Sequence, residues 1–125
     1  QELMQSVGST IWCQQEQEIN NIIAITGSSP AYFFLFMESM QQKTEQLGYD
    51  KQQARELVLH AIEGAVELAK SQNDTAFSTL REQVTSKGGT TAMALEQFYN
   101  GNLPQIVADA MQSAINRAEE MEKLF

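Results

Sequence analysis

An all-α fold is what this sequence predicts, on three observations. Apolar residues recur at helical spacing over several long stretches. Strong β formers alternate with polar residues for only a few positions. The chain also carries only 2 prolines in 125 residues, which leaves room for long uninterrupted helices. An apolar content of 42% argues against disorder and for one domain with its own core. No linker and no internal repeat divides the chain, so residues 1–125 read as a single helical domain.

Taken in order, residues 3–8 read as the tail of a helix ending at Gly8, and Thr10 to Cys13 as a short extended segment. Residues 16–25 read as a helix with Ile19, Ile22, Ile23 and Ala24 on one face, stopping near Gly27. Pro30 opens the next helix, because its missing N–H would have no partner at the first helical position. Ser29 is then the natural N-cap, and the helix runs to about Leu47 and stops at Gly48. Its first half, Tyr32 to Met37, is apolar on every side and must be buried all round. A central core helix and a subunit interface both satisfy that requirement.

Asp50 and Gln53 have capping-box spacing for a following helix, whose stripe is Ala54, Leu57, Val58, Ala61, Ile62, Ala65, Leu68 and Ala69. Gly64 inside it reads either as a mild loss of helix propensity or as a close helix crossing. Residues 75–84 form a shorter helix around Phe77, Leu80 and Val84, and residues 90–99 another with Met93, Ala94, Leu95 and Phe98. Asn100-Gly101-Asn102 ends it. Pro104 opens the last helix, with Ile106, Val107, Ala110, Met111, Ala114, Ile115, Ala118, Met121 and Phe125 as its apolar stripe. The polar end, Glu119 to Lys123, reads as a wet face.

Composition narrows the function. With 16 acidic and 8 basic side chains and a formal charge of −8, and with its Lys and Arg scattered singly, the chain is unsuited to a nucleic-acid backbone. A solvated acidic surface is the simple reading. Cys13 is the sole cysteine, so no internal disulfide forms; no metal-ligand cluster is present, and a reducing compartment, the cytoplasm, is expected. Residues 1–15 carry no signal-peptide pattern, and the apolar run 31–37 is far short of a membrane span. Gln1 in place of an initiating methionine suggests a processed or excised segment of a longer protein.

Two loops carry chemical interest. Thr85-Ser86-Lys87-Gly88-Gly89-Thr90-Thr91 joins two glycines, which let the backbone bend and a ligand approach, to a helix start whose free N–H groups point toward the same region. Such a loop can hold a carboxylate or phosphate, with Lys87 assisting as a point charge. A plain turn with helix caps has the same composition. Gly27-Ser28-Ser29-Pro30 is a second helix start with hydroxyls; alone it is a cap, and paired in space with the first loop it closes a small polar pocket. His60, the sole histidine, sits among Leu59, Ala61 and Ile62 and reads as packed or surface-exposed rather than as a base. No GxGxxG or GxxxxGK[ST] run occurs. Any chemistry here relies on positioning, with the reactive atom supplied by a cofactor.

At these loops the chain closely resembles the C-terminal domain of the pyrroline-5-carboxylate reductase family, which reads close to LSGSGPAYFF where this chain has Ile25 to Phe34, and close to DQVTSPGGTT where it has Glu82 to Thr91. The spacing between the two matches, as do Leu47-Gly48 and Leu80-Arg81. The resemblance covers nearly all of residues 3–125. It implies a helical dimerisation domain of the 6-phosphogluconate dehydrogenase C-terminal-like type, interlocked with its twin, in homodimers and higher assemblies of dimers. It implies a two-domain parent whose N-terminal Rossmann domain binds NADPH or NADH, and a hydride transfer to the C=N carbon of the pyrroline ring that gives L-proline. The substrate carboxylate would be held by Ser86, Gly88, Gly89, Thr90 and Thr91, with Ser28 as a further substrate-side residue. Residues 1–125 alone are then expected to bind no nicotinamide cofactor and to reduce nothing.

Three positions depart from the family pattern. Lys87 stands where proline is usual, which loosens the loop or adds charge beside the carboxylate. Ser29 replaces the second glycine of GSGP. Ile23 falls where the family commonly has a threonine facing the ring, so protonation would come from water or another group. These departures keep two alternatives in view: a noncatalytic helical dimerisation module, and a related reductase of another small imino or keto acid.

Overall fold

A computed structural model of the chain describes residues 9–124, and every element among them is helical. The order is α1 (Ser9–Ile22), a π-helical turn (Ile23–Gly27), α2 (Ser29–Gln46), α3 (Lys51–Ser71), α4 (Phe77–Gln83), α5 (Thr90–Asn100) and α6 (Leu103–Leu124). The expected helix tail at residues 3–8 and the last stripe residue, Phe125, lie outside the described residues.

Thr10 to Cys13 lies in α1 and is not extended. An isolated β-favouring run has no strand to pair with, and a helix satisfies its backbone groups locally. Ser29 is not an N-cap either. A capping residue leaves an extended backbone behind it, but the chain reaches α2 already helical, with Ser28 at φ −88° and ψ −32°. Ser28 donates its N–H to the Ile23 carbonyl at 2.9 Å, a wide π-type ring. Thr26 returns its hydroxyl to the Ile22 carbonyl at 2.8 Å, and Ser29 returns its own to the Ile25 carbonyl. Such back-bonding satisfies carbonyls that the widened turn loosens. Gly27 therefore marks a change of helical register rather than a stop.

The other boundaries follow the sequence. Gly48 ends α2 at φ +110°, a conformation that side chains with a Cβ rarely adopt. Asp50 and Gln53 form both bonds of a capping box, Gln53 N–H to Asp50 Oδ1 at 2.8 Å and Asp50 N–H to Gln53 Oε1 at 3.1 Å. Gly101 closes α5, and Asn102 turns the chain at φ +64°. The last helix starts one residue before Pro104, which leaves the proline in its first turn.

The chain divides into two compact units. One comprises α1, the π turn, the opening turn of α2 and α6. The other, Phe34–Leu103, comprises the rest of α2 with α3, α4 and α5. In the first, Ala24 is fully buried, while Ile19, Ile22 and Ile23 of the expected inward face stay about half exposed. Along α6, Met111, Ala114, Ile115 and Ala118 are half-buried, and the Arg117–Glu120 ion pair at 3.0 Å lies on the wet end. In the second unit the core is Ala54, Val58 and Leu80, and Phe36 meets Phe98 with ring centroids 6.0 Å apart.

Much of the predicted core surface is thus uncovered within the chain. Phe34 is 66% exposed and Phe77 80% exposed. A Cβ built on Gly64 meets nothing within 4 Å, so no helix among the described residues makes the close crossing there. His60 is exposed.

Replacing Asp50 by alanine removes one bond of the box and leaves the Gln53 N–H without its acceptor. The expected loss is about 1 kcal/mol of unfolding free energy, read from the urea midpoint. An unchanged midpoint would show that the box contributes nothing.

Candidate functional site

The second glycine motif forms the connection between α4 and α5, inside the second unit. The α4 end is tied off first: Val84 and Thr85 donate their N–H groups to Arg81 and Glu82 carbonyls, and the Thr85 hydroxyl donates to the Arg81 carbonyl at 2.6 Å. The Arg81 guanidinium lies 5.9 Å from the centre of the Tyr99 ring, a cation–π contact that joins α4 to α5 on either side of the loop.

Ser86 to Gly89 then make one tight turn, with the Gly89 N–H donating to the Ser86 carbonyl at 3.0 Å. Gly88 has φ +74°, and Lys87 is not among the positive-φ residues, which is the geometry of a type II turn. The two glycines have different reasons to be there. Gly88 supplies the left-handed backbone at the third turn position. Gly89 is extended, at φ −86° and ψ −175°, and has ordinary dihedrals. Its constraint is space, since a Cβ there would stand 2.5 Å from Ser86 Oγ.

Gly89 is also the N-cap residue of α5, and no side chain caps that end. Its carbonyl accepts from Met93, which starts the helical ladder. The N–H groups of Thr90, Thr91 and Ala92 therefore have no intrahelical acceptor. Ser86, Thr90 and Thr91 bring hydroxyls to the same turn and helix start. Three oriented N–H groups at the positive end of a helix form a cradle for a small anion. The Gly89 N–H is already engaged in the turn and is not one of the free donors. Ala92 adds a donor that the motif itself does not advertise, because its side chain is inert. Only its position in the first turn of α5 reveals it.

The first motif lies in the other unit. Ser28 is half-buried between the π turn and α2, its N–H is bonded to Ile23, and its carbonyl accepts from Ala31 at 3.2 Å. Its hydroxyl is the group it has to offer a ligand. Ile23 opens the π turn and is 47% exposed.

A profile of the pyrroline-5-carboxylate reductase dimerisation family matches residues 16–121. The chain belongs to that family. A pyrroline-5-carboxylate reductase of Vibrio alginolyticus is 58% identical over 124 residues, covering 99% of this chain and 46% of the relative. One from Pasteurella multocida is 49% identical across 100% of this chain and 46% of its own length. The chain thus spans about half the length of the curated relatives it matches. Among solved structures, a pyrroline-5-carboxylate reductase from Coxiella burnetii superposes with a TM-score of 0.79 at 41% identity, covering 84% of this chain and 38% of that one. Plasmodium falciparum pyrroline carboxylate reductase, solved with NADP bound, gives 0.80 at 30% identity over 85% of this chain and 42% of that one. Both solved relatives therefore share the helical architecture described above. No helix among the described residues of this family member is long and apolar enough to cross a membrane.

Substitutions at the turn test its geometry. Gly88→Ala should destabilise the protein by about 1 kcal/mol, since an L-residue is strained at that φ, while Gly88→Asn should lose less because asparagine tolerates the left-handed region better. Urea midpoints measure both, and an alanine variant as stable as the parent would contradict the assignment.

Proposed function

We propose that residues 1–125 are the dimerisation and substrate-binding part of a pyrroline-5-carboxylate reductase, whose whole chain reduces 1-pyrroline-5-carboxylate to L-proline with NADPH or NADH in the cytoplasm. The observation that carries this reading is the Ser86–Thr91 loop, where a helix start with no side-chain cap leaves the Thr90, Thr91 and Ala92 N–H groups without intrahelical acceptors. Family membership and the relatives' names supply the reaction.

In this reading the N–H groups of Thr90, Thr91 and Ala92, with the Ser86, Thr90 and Thr91 hydroxyls, hold the substrate carboxylate. Gly88 supplies the left-handed turn, and Gly89 lets Ser86 pack close against the loop. Fixing the carboxylate orients the five-membered ring, which turns a bimolecular encounter into a directed one. A nicotinamide cofactor, when bound, supplies the hydride that adds to the ring C=N carbon. The ring nitrogen takes a proton from water or another group. The described residues do not fit a dinucleotide: they are helical throughout, and such a cofactor calls for a strand–turn–helix with a glycine fingerprint. The cofactor therefore belongs to an N-terminal Rossmann domain of the whole protein, and residues 1–125 by themselves are inactive.

The partner is a second copy of the chain. Tyr32 to Met37 form an all-round apolar segment, and its Phe33, Phe34 and Leu35 are each more than 60% exposed. Burying one such side chain contributes about 1.5–3 kcal/mol. Residues 1–125 should sediment as twice the 14.0 kDa protomer mass at micromolar concentration, and Phe34→Asp should shift the species toward monomer. A monomeric parent would remove the dimer. Dimers then associate into the larger assemblies the resemblance implies.

The activity test uses the whole protein, assayed with pyrroline-5-carboxylate and each nicotinamide cofactor beside residues 1–125 alone. Turnover is expected of the whole protein only. Gly89→Val should raise the substrate KM at least tenfold, as its side chain displaces Ser86 and distorts the turn before the α5 N–H groups, with the dimer intact. An unchanged KM would contradict the loop assignment, and a whole protein without turnover would favour a noncatalytic dimerisation module.

A further inference from the structure

The turn from Ser86 to Gly89 puts Lys87 at the second of its four positions, the place where a type II turn favours proline. Proline would suit this backbone. The Lys87 N–H donates to no backbone carbonyl among the described residues, so nothing would be lost by its removal. A lysine here leaves the loop with more conformational freedom before a ligand arrives. What it adds is charge. Its side chain is exposed, and among the described residues it forms no ion pair and no hydrogen bond, unlike Arg117, which is engaged with Glu120.

We infer that Lys87 is an affinity-determining residue of the carboxylate loop: its ammonium group draws and holds the anionic substrate electrostatically, where a preformed proline turn would act through rigidity. The inference rests on the reading of Ser86–Thr91 as the carboxylate site. The cation and the helix start act on the same ligand with the same sign. Because the ammonium is solvated, its effect is screened by salt over a Debye length of about 8–10 Å, whereas contacts made directly by the helix N–H groups are screened much less. The contribution of Lys87 therefore has a signature of its own, a substrate KM that rises with ionic strength.

The test measures KM and kcat of the whole enzyme for pyrroline-5-carboxylate across a range of ionic strength, for the parent and for Lys87→Arg, Lys87→Gln and Lys87→Pro. Lys87→Gln should raise KM roughly two- to fivefold at low salt, converge with the parent at high salt, and place the loss on KM rather than kcat. Lys87→Arg should keep the parental KM and salt slope. Lys87→Pro should lose the slope and still bind better than Lys87→Gln, since its turn is set in advance. A Lys87→Gln enzyme with the parental KM and slope overturns the inference, as does a Lys87→Pro enzyme that keeps the slope. Gly89→Val, run alongside, separates the two levels. Raised KM there with a silent Lys87→Gln rejects Lys87 alone, and an unchanged KM in Gly89→Val rejects the loop on which the inference rests.

Discussion

The apolar girth of α2 is the constraint on which the rest of this structure depends. Tyr32 to Met37 present no polar face, so no single neighbouring layer can bury them. Among the described residues the buried apolar side chains are Ala24 in one unit and Ala54, Val58 and Leu80 in the other, while Phe33, Phe34 and Leu35 stay exposed. Half-exposed isoleucines in α1 and the open apolar faces of α4 and α6 extend the same deficit. Burial within the described residues is modest, and helices draw most of their stability from packed apolar faces. The proposed second copy supplies what is missing, and membership in a dimerisation family agrees with that account.

Local devices carry a correspondingly larger share of the order. The Asp50–Gln53 box, the left-handed Gly48 and Asn102, and the back-bonded hydroxyls of Thr26 and Ser29 satisfy backbone groups without help from distant packing. The candidate loop is built in the same manner. Thr85 ties off α4, the Ser86 carbonyl closes the turn, and the Arg81–Tyr99 contact holds the flanking helices together. The first N–H groups of α5 have no side-chain cap and are left free for solvent or a ligand. That contrast between a tied frame and an open helix end gives the loop its chemical character.

Position, rather than residue type, separates the site residues from their neighbours. Gly88 and Gly89 are adjacent and identical, yet one answers a dihedral requirement and the other a steric one. Ala92 offers as good a donor as Thr91, though its side chain gives no hint of it. Ser28 and Ser29 are likewise adjacent: Ser29 spends its hydroxyl on the Ile25 carbonyl, and Ser28 keeps its own.

The sequence by itself determined the helical class, the Gly48 stop, the Asp50 start and the position of the glycine turn. Each of these rests on interactions within about four residues, and the residue types that make them are few and distinctive. The two long motifs also sufficed to place the family. Other features were decided only by the tertiary structure. Thr10 to Cys13 became helical because no strand was present to pair with. Ser29 lost its capping role because the π turn delivers the chain to it already helical, and a change of helical register has no residue signature. Which apolar faces stay uncovered, and that no helix among the described residues crosses at Gly64, depend on where whole helices sit. Periodicity reports that a face is apolar but not what lies against it.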